Sequence, residues 1–359
     1  MPDIFSTMLK NITSLFIIMG VGYLCRKIKI IDDAVSAGLS KILLYVALPC
    51  TAFMSMMREF SYTLLGESMV TLSAALVIFL FGTLLGAVFT KLDKSGPRRG
   101  SVWKFALTFP NVGYAGFPIM LAVYGQPGQI YTAMVNAAFS ILAYSLGMSL
   151  FGGAKGTDGS GGKSAAVHWA LSAGGDAPAD ARLTGEQLSP DGPGRSGQAA
   201  HNGRVPKKRG AARLILLNPA LIATELGFVF FLLSLRPPEV IAGSMTFMSN
   251  MTTPLSMLIV GAILAKIDIR SAFTDVRIYF ISLMRLAVIP LAAFAVLRLF
   301  VANMVMLGVI VYLAAMPVAS LTVIMAEERG GDSETSSKAV LVSTLLSMIT
   351  IPLLSMVLN

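Results

Sequence analysis

Two prolines, two glycines and an asparagine fall within the ten-residue run Phe109-Pro110-Asn111-Val112-Gly113-Tyr114-Ala115-Gly116-Phe117-Pro118. Proline removes a backbone donor and clashes with the preceding turn, and glycine adds backbone freedom, so a helix breaks here and leaves peptide groups unpaired. The run lies inside an apolar segment from about Val102 to Tyr124. Hydrocarbon tolerates unpaired peptide groups only where protein or a polar cavity covers them. The chemistry on offer is recognition, not bond making. Asn111 carries an amide, Gly113 and Gly116 let the backbone come close to a ligand, and Pro118 marks the restart of the helix. The N-terminal end of that restarted helix turns a positive dipole toward a negative group.

A second run of the same character is Ala315-Met316-Pro317-Val318-Ala319-Ser320-Leu321-Thr322. Pro317 breaks the helix, Val318 follows in the break, and Ser320 and Thr322 offer hydroxyls. Three more polar residues lie within apolar segments: Glu225, Arg285 and Asn136. A carboxylate such as Glu225 at the centre of a span costs about 2.5–3.5 kcal/mol on insertion scales. It therefore needs a partner, a wet cavity or a proton, which makes it a candidate for proton coupling or a neutral acid that ties helices together. Arg285 could pair with Glu225, neutralise a ligand carboxylate, or snorkel to the inner interface. Asn136 faces either a cavity or a neighbouring helix. Both histidines, His168 and His201, lie in a polar stretch, and Cys25 and Cys50 are separate apolar-segment residues. No nucleophile–base pair or ligand set emerges, so no enzyme activity, metal or cofactor is expected.

The elements that must position these residues are membrane spans. The chain of 359 residues is 55% hydrophobic and 13% charged, and its apolar runs repeatedly reach the length of a bilayer crossing. They lie at about 5–25, 39–57, 65–90, 102–124, 131–151, 214–235, 240–265, 278–300, 304–326 and 337–358. Between 152 and 212 the composition shifts to Gly, Ser, Pro and charged residues, which reads as a disordered cytoplasmic loop. Its Lys207-Lys208-Arg209 suits anionic lipid headgroups. The expected division is thus a first five-helix unit at 1–151, the loop at 152–212, and a second five-helix unit at 213–359. The net charge of +9 comes from inter-segment loops, so topology explains it without a nucleic-acid partner. Arg26, Lys27, Lys29, Lys91, Lys94, Arg98, Arg99, Lys266, Arg270, Arg277 and Arg329 fall on one side, with little opposite. The positive-inside rule then places both termini outside and the loop in the cytoplasm of a cell-membrane protein.

Asn11 and Asn218, Gly20 and Gly227, and Pro110 and Pro317 are each separated by 207 positions; Pro49 and Pro254 depart from that offset by two. Units with an odd number of spans insert in opposite orientations. The expectation is an all-α polytopic fold of ten helices, two inverted five-helix repeats with broken, crossing helices 4 and 9. Inverted repeats with discontinuous helices are the signature of secondary transporters. Pro49 and Pro254 shape the helices beside the crossover.

These motifs, in this order, resemble the auxin efflux carrier family, which includes plant PIN carriers and bacterial organic-acid carriers. The resemblance rests on Leu48-Pro49 with Phe53, the run from Asn111 to Pro118, Asn218-Pro219, and Thr253-Pro254 with Gly261. It continues through Met316-Pro317-Val318-Ala319, Glu327 to Asp332 and Ser343-Thr344-Leu345-Leu346-Ser347. It implies a scaffold and a transport domain moving a small organic anion, auxin-like or a dicarboxylate, with substrate contacts at the two proline breaks. Ser320-Leu321 lacks the asparagine often found after the proline of helix 9, so Ser320 and Thr322 are the polar substitutes. Proton or sodium coupling, lipid contacts and a homodimer complete the expected partners. The alternatives are a sodium/proton-type antiporter, disfavoured because neither break contains Asp or Glu, and a membrane sensor or scaffold.

Overall fold

The computed structural model describes residues 2–94, 96–151, 218–267 and 272–358. The expected loop at 152–212 lies outside the described residues. Among those described, the chain is nearly all helical, and its one extended pairing is a single antiparallel bridge between Pro110 and Val318.

The helices before the loop are α1 (Pro2–Lys27), α2 (Asp33–Ile42), α3 (Leu48–Ser55), α4 (Tyr62–Asp93), α5 (Pro97–Thr108), α6 (Phe117–Leu142) and the single turn α7 (Met148–Leu150). After it come α8 (Pro219–Leu232), α9 (Glu239–Asn250), α10 (Thr252–Leu264), α11 (Val276–Leu283), α12 (Ile289–Leu297), α13 (Met304–Ala314), α14 (Leu321–Arg329) and α15 (Ser333–Leu358). Among the described residues, six helical stretches are long and apolar enough to cross a membrane: Asp33–Ser55, Tyr62–Asp93, Val112–Leu150, Glu239–Leu264, Val276–Leu297 and Ser333–Met356. Gly125, at φ 62°, interrupts α6, so Val112–Leu150 is two helices meeting at a bend.

Several stretches continue through a wider π-turn. Leu43–Ala47 precedes Pro49, Val112–Gly116 precedes Pro118, and Met284–Val288 precedes Pro290. Proline cannot donate to the carbonyl four residues back, and the widened turn accommodates that missing bond without ending the helix. Helix starts carry their expected caps. Asn218 Oδ1 accepts from the Ala220 and Leu221 amides at 3.0 and 3.2 Å, and Asn303 Oδ1 accepts from Val305 and Met306 at 3.0 and 3.1 Å.

Packing divides the helices into two groups. In the first, α1 runs along α10, and α3 packs on α8 and α9. Gly22 lies against the Leu258 backbone and Gly261 against the backbone of Met19 and Tyr23, so these two helices meet main chain to main chain. Thr51 joins α3 to α10 through the Thr252 hydroxyl at 2.6 Å. In the second group, α4 packs on α5 and α6, α13 packs on α6, and α15 packs on α11 and α14. Phe79, Phe105, Phe109, Phe139 and Phe151 interlock at its centre.

Each group is tied by its own ions. Asp33 bonds Arg26 at 2.8 Å and also Lys266, while Asp93 bonds Arg277 at 2.6 Å and Asp275 bonds Arg99. Among the described residues no ion pair links one group to the other. The outer surface is apolar to a degree that water would not support. Helix α9 has no buried residue, and Val240 and Phe247 on it are 82% and 75% exposed. Such a surface belongs in lipid. The chain is a membrane-embedded multi-pass protein.

Candidate functional site

Both breaks meet in the second group. Helix α5 ends at Thr108, the chain turns extended at Phe109, and helical geometry resumes at Val112. Helix α13 ends at Ala314, and α14 begins at Leu321. Peptide groups freed by one break are satisfied by the other. The Asn111 amide donates to the Pro317 carbonyl at 2.9 Å, and the Ala319 amide donates to Phe109 at 3.1 Å. The Val318 amide donates to Ser343 Oγ of α15 at 3.0 Å. Buried main chain must be paired, and this reciprocal arrangement does it with no regular helix.

Asn111 is buried and serves both breaks. Its Oδ1 accepts from the Tyr114 amide at 3.3 Å, capping the π-turn, and its Nδ2 donates to Ser320 Oγ at 3.4 Å. Pro118 lies buried in the first turn of α6, and Pro110, Pro317 and Val318 are buried in the bridge region itself. Thr322 is fully buried, and its hydroxyl has no hydrogen-bond partner among the described residues.

The two glycines differ. A methyl on Gly113 would sit 3.8 Å from Leu48 Cδ1 and 4.0 Å from Asn136 Oδ1, ordinary contact distances, and this places the buried Asn136 beside the π-turn. A methyl on Gly116 would press to 2.7 Å from Leu313 Cδ2. Gly113→Ala is therefore expected to leave the unfolding free energy of purified protein within about 0.5 kcal/mol of the parent's. Gly116→Ala should cost about 1–3 kcal/mol through overpacking. A flux loss in Gly113→Ala at unchanged stability would locate ligand against that backbone; a large stability loss there contradicts the open space.

A cavity of about 20 Å³ touches both breaks, at Asn111 and Pro317. Ala115, Thr344 and Ser347 continue its wall on the second group, and Leu15, Phe16, Met19, Met257 and Val260 close it from the first. It has room for about one water and none for a multi-carbon acid. A larger ligand reaches it only if the two groups move apart.

Arg285 is fully buried behind the crossover. Its Nη1 donates to the carbonyls of Leu107 at 2.8 Å and Thr108 at 3.4 Å, and its Nε donates to Met316 at 3.3 Å. Snorkelling toward an interface is not what this side chain does. The π-turn Met284–Val288, which contains it, sits where Pro290 disturbs the helix. Glu225 is not brought to Arg285. It is exposed on α8, whereas its neighbours Thr224 and Gly227 are buried. Pro49 is half-buried and Pro254 exposed, both in the first group and flanking the Thr51–Thr252 contact.

Three features have roles that the sequence did not assign. Thr344 and Ser347 line the cavity and Ser343 holds the bridge; their signal was a run of hydroxyls on an otherwise apolar helix. Glu67 accepts from Tyr131 Oη at 2.5 Å and from Asn303 Nδ2 at 2.8 Å. It thereby joins α4, α6 and the start of α13.

Known proteins with similar sequences show the family. The family model for membrane transport protein matches residues 7–355. An uncharacterized transporter of Methanothermobacter thermautotrophicus is 24% identical over 359 residues, covering 99% of this chain and 100% of that protein. An uncharacterized transporter of Saccharomyces cerevisiae is 32% identical over 127 residues, 35% of this chain and 21% of that protein. The match runs through both breaks, the cavity wall and the crossover arginine, and the chain belongs to the auxin-efflux-carrier-like membrane transport protein family, whose members are carriers and not enzymes.

Proposed function

We propose that the protein is a secondary carrier of a small organic anion, working by alternating access around the crossover of Phe109–Asn111 and Ala315–Ser320. The observation that carries this reading is the cavity touching both breaks at the boundary between the two helix groups. A boundary free of ion pairs among the described residues lets the groups slide or rock, as alternating access requires. The reading takes the chain as ten passes in two inverted five-helix repeats. The reciprocal bonds between the breaks are compatible with it, because each break gives the other one amide and one carbonyl: Asn111 to Pro317 and Ala319 to Phe109. The excess of Lys and Arg on one side supports a cell-membrane orientation with both termini outside.

The cavity wall favours one kind of anion. Its exposed wall is almost wholly apolar, with Asn111, Thr344 and Ser347 on the side of the second group, and no charged side chain lines it. That suits a single carboxylate on an apolar body better than two carboxylates on a short chain. Purified protein in liposomes should exchange labelled aromatic or branched monocarboxylates, and do so faster than short dicarboxylates. Absence of flux for every member of such a panel, with the protein folded, removes the proposal. Efflux of a monoanion can run on membrane potential alone, worth about 2.3 kcal/mol per charge per 100 mV.

A further inference from the structure

Four half-helix ends converge at the crossover. The C-terminal ends of α5 and α13 each bring about −0.5 of a charge, and the N-terminal ends of the π-turn leading into α6 and of α14 each bring about +0.5. These cancel, so the helix ends by themselves do not make the crossover attractive to an anion. Neither break carries a charged side chain: none occurs from Phe105 to Tyr124 or from Met304 to Ala326. Arg285 is the exception brought in from another helix. It places its guanidinium on the carbonyls of Leu107 and Thr108 at the end of α5 and on Met316 just beyond α13. Its Nη2 is buried and has no partner among the described residues, and no carboxylate is among its contacts.

We propose that Arg285 is the positioning residue that sets the sign of the site: it neutralises both negative half-helix ends and leaves the two positive ends to face the cavity. It does not touch the cavity, whose wall includes Pro317, the neighbour of its acceptor Met316. The proposal deepens the anion-carrier reading and rests on it. It makes the charge of residue 285 decisive and its guanidinium shape secondary.

The sign of a site can be measured without knowing its ligand. Ser347 lines the cavity, and Ser347→Cys, in a chain with Cys25→Ser and Cys50→Ser, places a thiol there. In proteoliposomes its labelling is compared for an anionic reagent, sulfonatoethyl methanethiosulfonate, and a cationic one, trimethylammonioethyl methanethiosulfonate. Arg285→Gln should lower the anionic-to-cationic rate ratio about tenfold or more, the scale expected for one buried charge nearby. Arg285→Lys should keep the parent ratio, which a purely structural role of the guanidinium fork does not predict. Should Arg285→Gln fail to fold, Arg285→His replaces it. Its ratio should lie below the parent's once the imidazole is neutral, whether across the whole pH range or only above its titration. A ratio at parent level in folded Arg285→Gln, or at every pH in Arg285→His, overturns the proposal and leaves the carrier reading standing. A thiol that neither reagent reaches in native protein, but both reach after denaturation, means the cavity never opens to water and overturns both.

Discussion

Asn111→Ala is expected to lower carboxylate flux about 10- to 100-fold in proteoliposomes, since a hydrogen bond to a charged group contributes about 1.5–3 kcal/mol and 1.4 kcal/mol is tenfold. Asn111 lines the cavity, and its side-chain amide touches both breaks. Losing its cap on Tyr114 should by itself cost about 1 kcal/mol of stability. Ser320→Ala should do less, about fivefold, because Ser320 offers one neutral hydroxyl whose contact with Asn111 is long, at 3.4 Å. Asn111→Asp separates the two roles. It keeps an oxygen for the Tyr114 amide, removes the donor, and sets a negative charge where the anion must sit. Flux should therefore fall at least as far as in the alanine variant even though the cap oxygen is kept, and the buried carboxylate itself costs about 2.5–3.5 kcal/mol. Recovery of flux in Asn111→Asp would make Asn111 a cap only, and parental rates in both Asn111→Ala and Ser320→Ala would move the site elsewhere.

The two breaks were legible because proline, glycine and asparagine have strong backbone consequences whatever surrounds them. Pro110 and Pro317 announced each other through a shared offset, whereas the span expected from about 214 begins, among the described residues, as a helix at Pro219 capped by the Asn218 side chain. The orientation of single polar residues was not legible in the same way. Glu225 and Arg285 both sit in helices that are apolar on every side, where hydrophobic periodicity gives no clue to which face meets protein and which meets lipid. One is exposed and the other fully buried. The dipole argument from sequence was likewise half of the physics. It counted the helix ends that restart after each break and omitted the ends that stop there. Only the contact of Arg285 with Leu107, Thr108 and Met316 restores the positive balance.

The first helix group makes a different demand, and its test is the close seam of α1 and α10. Gly261→Ala is expected to destabilise the folded protein by about 1–3 kcal/mol or more, the upper part of the overpacking range. The added carbon would run into the Met19 carbonyl oxygen and lie 2.8 Å from the Tyr23 nitrogen. These are main-chain atoms of a helix, which cannot rotate away as a side chain does, so α1 must shift as a whole. Gly22→Ala should act alike, because its added carbon would meet the Leu258 backbone. The two costs are coupled: once one methyl has opened the seam, the second finds room, so the double variant should lose less than the sum. Gly20→Ala is the control in the same helix, with nothing within 4 Å of the added carbon, and should be neutral or slightly stabilising. Thermal unfolding in detergent measures all four. Full additivity of Gly22→Ala and Gly261→Ala would mean that the glycines do not share one seam, and a neutral Gly261→Ala would mean that the helices are not in main-chain contact. The seam also bears on transport. A group held together by backbone contact moves as a unit, so a Gly261→Ala protein that still folds should lose stability without changing its preference among carboxylates. Asn111→Ala should change transport with the smaller loss of stability, about 1 kcal/mol from its cap, and the pair of results would separate the group that supports from the group that binds.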